Sequence, residues 1–299
     1  MTQKTESKVI VVIPTYNRAH YLEQALENIS RQSYNDMKVV VLDNASTDET
    51  PEVFTETVGK DNRFFYSRNE TTISAAENFY RGLSITSSEY FMWRADDDLS
   101  DANYVEMLTD ALDRDIHSEL AFASYLQSRG DFQKKYELPD IVADTPLDRA
   151  VQFLPIARPT WIYGLWRRDA LNENIRILGD RYPYVWASDH ALMLPTMMKG
   201  LFSPVQSTLF HQRIVGTASY HLSPLDLLRA RKAFMEFGLS VLDGLGHERV
   251  QRKRLLEALT AHVEARVAPR WKTRQNVLKQ LRRSIRDSVK FRLGMSIPD

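Results

Sequence analysis

Three consecutive aspartates, Asp96, Asp97 and Asp98, follow the apolar run 90–93. Carboxylates packed side by side at the end of a buried strand repel one another, and a cation or a donor-rich ligand would relieve that repulsion. Oxygen ligands select hard ions such as Mg2+ or Mn2+, and the chain has no cysteine that would favour zinc. Capping of a helix that begins near Ser100 would explain one or two of the acids. The triplet therefore favours a divalent-metal site.

The first glycine of the chain is Gly59, so no glycine-rich loop follows the first predicted strand. The dinucleotide-binding fingerprint and the P-loop both need glycines there, because the backbone must approach the phosphates closely. The sequence therefore argues against dehydrogenases and P-loop enzymes. The negative charge of a phosphorylated ligand would have to be met by metal and arginine.

Alternating strands and helices position the aspartates. Residues 9–13 and 37–42 are unbroken apolar runs, which are typical of parallel strands buried on both faces. Between them, apolar residues recur at helical spacing over 21–29. The alternation continues with a strand, a helix and a second strand at residues 63–67, 74–85 and 89–93. This pattern predicts a doubly wound α/β sheet flanked by helices, with ligands at the carboxyl ends of the strands.

The second half of the chain is less regular and ends in helices. Strands are predicted at 119–126, 161–166 and 201–210, and a helix at 188–198. Everything from residue 224 onward reads as helical, in segments at 224–243, 248–266 and 270–292. We therefore predict a catalytic domain over 1–222, with halves at 1–115 and 116–222, and a C-terminal helical extension over 223–299.

The net charge of zero is unevenly distributed. Residues 266–299 hold 10 Lys and Arg against 2 Asp and Glu, so this tail carries +8 and the rest of the chain −8. Apolar residues of the tail fall on one stripe with basic flanks over 266–293, which is typical of an amphipathic helix on an anionic membrane surface. The alternative is a helix packed on the protein or in a homodimer. We expect no nucleic-acid partner.

No apolar stretch approaches the roughly 18 residues that a membrane-spanning helix needs, and the first residues are polar. The absence of cysteine fits a reducing compartment. We expect a cytoplasmic protein, bound peripherally to the inner membrane face if the tail binds lipid.

Several motifs in a consistent order resemble the nucleotide-sugar half of family 2 glycosyltransferases, which have the GT-A fold. The resemblance is close over residues 8–115 and loose over 160–220. The motifs are Val-Ile-Pro-Thr-Tyr-Asn-Arg at 12–18, Gln-Ser-Tyr at 32–34, Val-Val-Leu-Asp-Asn-Ala-Ser-Thr-Asp-Glu-Thr at 40–50, Asn78 with Gly82, and Glu-Tyr-Phe at 89–91 leading into the three aspartates.

The resemblance implies inverting transfer of a sugar from a nucleoside diphosphate donor to a hydroxyl acceptor, with Mn2+ or Mg2+ on the departing diphosphate. A gapless comparison favours Asp97 as metal ligand and Asp96 on the ribose, whereas reading the triplet as Asp-x-Asp favours Asp98 as metal ligand; both remain open. The resemblance implies further donor-binding residues that contact the nucleobase or the phosphates or face the same site. They are Pro14, Thr15, Tyr16, Arg18, Asp43 and Asn78.

The second half is expected to supply the base and the acceptor site. The resemblance places an acid ahead of a helix, which makes Asp189 the predicted base, with neighbouring His190 as its rival or as an acceptor contact. Arg213 is expected to clamp phosphate oxygens and His211 to add a metal ligand. Sugar rings stack on aromatic side chains, so Trp161 and Gly164 are predicted to form an acceptor wall.

The resemblance thus predicts a metal-dependent glycosyltransferase in surface polysaccharide or glycolipid assembly. We expect it to be non-processive, because the Gln-x-x-Arg-Trp motif of processive synthases is absent. The expected donor is a UDP-sugar, with dTDP- and GDP-sugars as alternatives, and the expected acceptor is a glycan or a lipid-linked sugar. The rival functions are a sugar nucleotidyltransferase and a noncatalytic sugar-nucleotide-binding scaffold.

Overall fold

The structure, a computed structural model, describes residues 7–140, 143, 145–215 and 223–267. The chain divides into two compact units, which we describe separately. The sheet unit consists of Met1–Val142, Pro159–Arg176 and Leu201–Thr217, and the helical unit consists of Ala143–Arg158, Ile177–Gly200 and Ala218–Asp299. The helical unit therefore includes two segments that the expected boundary at residue 222 assigned to the catalytic domain.

Within the described residues of the sheet unit, nine strands form one mixed sheet. They are β1 (Val9–Thr15), β2 (Met37–Asp43), β3 (Phe64–Arg68), β4 (Tyr90–Trp93), β5 (Leu99–Ser100), β6 (Leu120–Arg129), β7 (Phe132–Tyr136), β8 (Leu165–Arg167) and β9 (Phe202–Arg213). The order is β3-β2-β1-β4-β8-β6-β9-β5, with β7 paired to β6. Strands β3, β2, β1 and β4 are parallel neighbours, β9 is parallel to β6, and β8 is antiparallel to β4 and β6. The predicted α/β class with a doubly wound mixed sheet is confirmed.

Nine α-helices accompany the strands in the part of the chain that the structure describes. They are α1 (Ala19–Ser30), α2 (Thr50–Val58), α3 (Ala75–Ile85), α4 (Tyr104–Arg114), α5 (Pro146–Phe153), α6 (Arg168–Leu178), α7 (Ser188–Lys199), α8 (Pro224–Gly244) and α9 (Arg249–His262).

The core of the sheet unit forms around β1, whose seven residues are all buried. Apolar side chains on both faces of the strand need cover on both sides, which is why helices flank the sheet. Helix α1 supplies one such cover through Leu22, Ala25, Leu26 and Ile29, which recur at intervals of three or four and are buried. Burial of each large apolar side chain stabilises the fold by about 1.5–3 kcal/mol.

Helix α3 lies close against β1. Its start is fixed by a capping box in which Ser74 accepts the backbone N–H of Glu77 and the Glu77 side chain accepts the N–H of Ser74. A Cβ atom at Gly82 would lie 2.6 Å from a methyl carbon of Val12, so only glycine allows this approach without displacement. The close approach holds Asn78, one turn earlier in the helix, near the end of the neighbouring strands.

The predicted strand at 161–166 is only partly correct. Residues Pro159–Tyr163 form a 3-10 helix, and β8 begins at Leu165. The aromatic residues of this segment are typical of a strand, although Trp161 is a buried core side chain in a helical turn.

The helical unit contains α5, α7, α8 and α9. Nine of the twelve residues of α7, from His190 to Met198, are buried. A π-helical turn at Val263–Val267 continues α9. Helices α8 and α9 match the predicted segments at 224–243 and 248–266, whereas the predicted amphipathic helix at 270–292 lies outside the described residues.

None of the helices in the described ranges is both long and apolar enough to cross a bilayer.

Candidate functional site

An open cleft of about 280 Å3 lies in the sheet unit, at the carboxyl ends of β1, β2 and β4. Helix α3 forms one side of it. This is the edge at which open α/β sheets bind ligands, because the loops that follow the strands diverge there. The cleft is lined by Pro14, Thr15, Tyr16, Arg18, Asn44, Ala75, Asn78, Phe79, Ala95, Asp96, Asp97 and Tyr163.

Two of the three aspartates share one guanidinium. Nη1 of Arg18 lies 2.8 Å from Oδ1 of Asp96 and 2.9 Å from Oδ2 of Asp97. The other oxygen of Asp96 accepts a hydrogen bond of 2.8 Å from the hydroxyl of Thr15. Burial nevertheless raises the pKa of the Asp96 carboxyl, although Arg18 acts in the opposite direction. The end of β1 thus positions both a hydroxyl and a cation against the acids at the end of β4.

Asp98 does not line the cleft. Its Oδ1 accepts the backbone N–H of Arg213 at 2.8 Å, and burial raises the pKa of its carboxyl to about 7. The Arg213 side chain donates to the backbone carbonyl of Asp97 and to Gln24. Arg213 therefore braces the acidic loop from β9. Of the two alternatives for the metal ligand, Asp97 lines the cleft and Asp98 does not.

Within the described residues, no three histidine or acidic side chains are already grouped as a metal site. His211, predicted as a ligand, pairs through Nε2 with Asp101 at 2.9 Å and does not line the cleft. A Mg2+ or Mn2+ ion nonetheless needs only one or two carboxylates when substrate phosphates and water complete its shell. Asp97 lines the cleft, and no hydrogen bond to its Oδ1 occurs among the described residues, so this carboxylate fits such an ion.

Asp43 does not occupy the place predicted for it. The side chain is completely buried, and its oxygens accept the N–H of Ser46 at 2.8 Å and the hydroxyl of Tyr66 at 2.5 Å. Arg68 lies 3.5 Å from the same carboxylate. Asp43 therefore supports the loop from behind, and the next residue, Asn44, lines the cleft in its place. No local pattern distinguishes these two adjacent polar residues before the fold is known.

Backbone strain marks the two loops around the cleft. Asn17 and Ala45 have φ angles of 51° and 61°, in the left-handed region that non-glycine residues rarely adopt. The loops are cross-linked: the N–H of Asn17 donates to Ser46 Oγ at 2.9 Å, and its Oδ1 accepts the N–H of Thr47 at 2.7 Å. Such strain persists only where surrounding contacts hold it, which is typical of ligand-binding loops.

The predicted acceptor wall is corrected by the structure. Trp161 is buried, and its ring stacks on that of Phe122 with centroids 4.0 Å apart, so it is a core residue. A Cβ at Gly164 would overlap the carbonyl oxygen of Ala121, so this glycine allows close backbone packing and opens no space for a sugar. Tyr163, which lies between them, lines the cleft instead.

Asp189 and His190 belong to the helical unit, in the first turn of α7. Ala187, at the start of this helix, has a left-handed φ of 58°. Asp189 is partly buried, its Oδ1 accepts the N–H of His190 at 2.7 Å, and burial raises the pKa of its carboxyl. His190 is buried, with its ring centroid 4.8 Å from that of His262, and burial lowers its pKa to about 4. His190 is therefore a neutral core residue, which corrects its predicted contact with the acceptor.

Comparison with known proteins gives the fold and the family. Glycosyltransferase GlyA of Streptococcus pneumoniae serotype 4 is 35% identical over 104 residues, which cover 34% of this chain and 15% of GlyA. The chain spans 15% to 33% of the length of four curated relatives that it matches.

Two solved structures have the same fold. Residues 1–349 of Staphylococcus aureus TarS in complex with UDP-GlcNAc superpose with a TM-score of 0.64 at 19% identity, covering 86% of this chain and 73% of the TarS chain. The mannosyltransferase PcManGT of Pyrobaculum calidifontis, in complex with GDP-Man and Mn2+, gives a TM-score of 0.54 at 17% identity, with 88% and 75% covered. The GT-A type of sheet is thereby confirmed.

The model of the family "Glycosyl transferase family 2" matches residues 10–173, more than half of the chain, and the match includes all five segments that line the cleft. The resemblance seen in the motifs is thereby confirmed: the chain belongs to glycosyltransferase family 2.

Proposed function

We propose that the protein transfers a single sugar from a nucleoside diphosphate donor to a hydroxyl acceptor with inversion at the anomeric carbon. The observation that carries this proposal is the cleft itself. It combines two carboxylates, Asp96 and Asp97, with the cation of Arg18 at the carboxyl ends of β1 and β4. A diphosphate needs positive charge and a ribose needs acceptors for its hydroxyls, and the cleft provides both.

The donor side of the proposal is supported by the wall of the cleft. Pro14, Thr15 and Tyr16 offer backbone and a half-exposed ring against which a base can stack, and Phe79 extends the apolar surface. TarS holds UDP-GlcNAc and PcManGT holds GDP-Man in their structures. We propose a nucleoside diphosphate sugar for this chain too, with a UDP-sugar first and dTDP- or GDP-sugars as alternatives.

A divalent ion, Mn2+ or Mg2+, would be held by Asp97, with Asp96 left to contact the ribose. Bound there, it would supply positive charge to the departing diphosphate. Arg18 would exchange part of its contact with the carboxylates for contact with phosphate oxygens, which its planar guanidinium suits.

Asp189 is the proposed base. A partly buried carboxylate whose pKa is raised accepts a proton more readily than an exposed one does. In the proposed step, the acceptor oxygen bonds to the anomeric carbon while the bond from that carbon to the diphosphate oxygen breaks, with its electron pair leaving on the diphosphate. The acceptor proton passes to Asp189. Because attack and departure occur on opposite faces in one displacement, the configuration inverts.

The acceptor and the cellular setting rest on the sequence of the tail. We propose a glycan or lipid-linked acceptor in surface polysaccharide or glycolipid assembly, with the basic stripe of 266–293 on the inner membrane face. Vesicle co-sedimentation of the full chain and of a chain ending at Gly246 tests this. Equal pelleting of both on anionic vesicles would remove the membrane proposal and leave a homodimer or an internally packed helix.

Thermal shift with UDP-, dTDP- and GDP-sugars, each with and without Mn2+, tests donor binding. A donor present at about 100 times its Kd should stabilise the protein by about 2.7 kcal/mol. Donor hydrolysis under the same conditions separates an enzyme from a noncatalytic scaffold. No shift with any of the donors would contradict the proposal.

The base is tested with Asp189→Asn, which should keep the donor-induced shift while hydrolysis or transfer collapses. Asp169→Asn is the matched control, because Asp169 also lies in the first turn of a helix, α6, and is exposed. Normal turnover of Asp189→Asn would assign the base to another residue.

A further inference from the structure

The hairpin formed by β6 and β7 ends in a tip of four exposed residues, 129–132. Arg129 pairs with Phe132 across the turn, and Phe132 is 61% exposed. On the other side of β6, Ile214 extends the pairing with β9 by donating its N–H to the carbonyl of Ser128 at 2.8 Å, and it is 37% exposed. The tip therefore has an apolar pair, Phe132 and Ile214, with one residue of the pair on each side of Arg129.

The register places these three side chains on one face of the sheet. Two residues earlier on β6 and β9, the side-chain amides of Gln127 and Gln212 form a hydrogen bond of 2.7 Å, so these two residues share a face. Side chains two residues apart along a strand point to the same side, which adds Arg129 and Ile214 to that face. Phe132 lies on it too, because directly paired residues of neighbouring strands share a face.

The same face carries two cations without an ionic partner. Lys134 precedes Tyr136 on this face of β7, and its ammonium lies 4.9 Å from the centre of the Tyr136 ring. Neither Lys134 nor Arg129 is paired with any acid of the residues that the structure describes. On the opposite face, by contrast, Lys135 is paired with Glu137 at 2.8 Å. The unpaired positive charge of the hairpin is thus concentrated on the face that carries the apolar pair.

The tip lies at the same edge of the sheet as the cleft. Strand β6 is antiparallel to β8, and β8 is antiparallel to β4, so β6 ends at the edge where β4 ends. Arg213 of β9 is paired with Ser128 of β6. It donates its backbone N–H to Asp98 and its side chain to the carbonyl of Asp97. One residue of β9 therefore connects the hairpin to the acidic loop.

We propose that the tip of this hairpin docks on an anionic lipid surface, with the apolar pair in the interfacial region and the two cations among the lipid phosphates. Apolar side chains flanked by basic ones are typical of interfacial contacts, and each cation near an anionic leaflet adds to the attraction. A tip of four residues offers much less than the roughly 800 Å2 that each partner buries in a stable protein interface. This contact belongs to the sheet unit and does not depend on residues 266–293.

Fluorescence from a single labelled cysteine tests the docking in the full chain. The chain has no cysteine, so Gln133→Cys provides the only thiol for an environment-sensitive label. We expect the emission of this label to shift to the blue on vesicles of phosphatidylglycerol and phosphatidylcholine, and to stay unchanged on phosphatidylcholine alone. The matched control is Ile116→Cys, because Ile116 is a 72% exposed apolar residue that precedes β6 at the opposite edge of the sheet. No shift at position 133, or equal shifts at both positions, would overturn the inference.

Co-sedimentation of the full chain with the same anionic vesicles measures the contribution of each side chain. Phe132→Ser should weaken binding about tenfold, because it removes the larger apolar group of the tip. Arg129→Gln should weaken it about fivefold, which is the effect of one cation near an anionic leaflet. Asp131→Asn, which removes the acid of the turn, should strengthen binding severalfold for the same reason.

Lys135→Gln is the matched control for charge. It removes the same charge as Arg129→Gln but from the opposite face of the hairpin, and it should change binding by less than about twofold. Equal losses in these two variants, or unchanged binding of Phe132→Ser, would show that net charge alone attracts the protein to lipid and would overturn the inference. The thermal shift with donors, measured without lipid, should stay unchanged in all four variants, so a failure here leaves the proposed function standing.

Discussion

Charged side chains cluster at both ends of the central strands in the sheet unit, but the carboxylates at the two ends are neutralised to different extents. At the amino ends, Lys8 lies 2.7 Å from Asp113, and the hydroxyl of Tyr90 donates to the same carboxylate at 2.6 Å. Arg167 reaches Tyr90 Oη at 3.3 Å and Glu89 at 3.5 Å. Although burial acts in the opposite direction, Lys8 and Tyr90 hold the pKa of the Asp113 carboxyl below its usual value.

At the carboxyl ends, the charges are less well balanced. Asp96 and Asp97 share the guanidinium of Arg18, and burial raises the pKa of Asp96 and, to about 7, that of Asp98. Carboxylates that are paired with cationic side chains in the free protein stabilise the fold. Carboxylates that are not fully neutralised by neighbouring side chains are suited to bind a cationic ligand. The same residue types thus have a structural role at one end of the strands and a proposed binding role at the other.

Replacing Asp97 should give the largest effect. Asp97→Asn removes the carboxylate that we propose to hold the ion, and we expect transfer or donor hydrolysis to fall about a thousandfold while the fold persists. Steady-state rates over a Mn2+ titration measure this. Asp113→Asn, at the opposite end, should keep its rate within about twofold, and equal losses in both variants would remove the distinction between the two ends.

The pH dependence of stability should differ in sign between the ends. Because the folded pKa of Asp98 is raised above its unfolded value, the group costs stability as pH rises from about 4 to 7, and the full cost is present above pH 7. Asp98→Asn can still accept the N–H of Arg213, so it should gain up to about 4 kcal/mol over the unmodified protein at pH 8 and little at pH 4. Urea unfolding without metal at the two pH values measures this, and a variant less stable at pH 8 would contradict it.

Removing Arg18 should weaken donor binding by about tenfold, because charge-assisted hydrogen bonds to phosphate contribute roughly 1.5–3 kcal/mol. The variant is Arg18→Gln, and the measurement is titration with a nucleoside diphosphate. Arg31→Gln is the control, since Arg31 is an exposed arginine paired with Glu27 one turn earlier in the chain. Unchanged affinity in Arg18→Gln would limit Arg18 to a structural contact with Asp96 and Asp97.

The smallest effect is expected at the amino ends. Asp113→Asn should lower the free energy of unfolding by about 1 kcal/mol at pH 7, because the ion pair with Lys8 is partly exposed and screened. The folded pKa of Asp113 is lowered, so its contribution is present above the unfolded pKa and lost as pH falls through the folded one. Urea unfolding curves of the variant and the unmodified protein should therefore converge in strong acid; a gap that persists there would show a contribution other than ionic pairing.

The sequence placed the acidic loop at the end of a strand, as the structure does, but did not predict that Trp161 is buried in the core. The acids follow β4 directly along the chain, so the apolar run 90–93 was enough to place them at a strand end. The burial of Trp161 depends on Phe122, a residue far away in the chain, and no local pattern distinguishes an aromatic side chain in the core from one in a binding wall. His211 was misplaced for a similar reason, because its partner Asp101 is 110 residues earlier.

The sequence alone determined the chain order of β1, β2, β3 and β4, the α/β class, the motifs of the family and the edge at which the polar loops meet, because these depend on short-range periodicity and chain direction. Only the tertiary structure decided that Asn44 and not Asp43 faces the cleft and that Arg18 bridges Asp96 and Asp97. These contacts depend on how the ends of separate strands turn and approach one another. Arg18 and Asp96 are 78 residues apart, so no local pattern encodes their meeting.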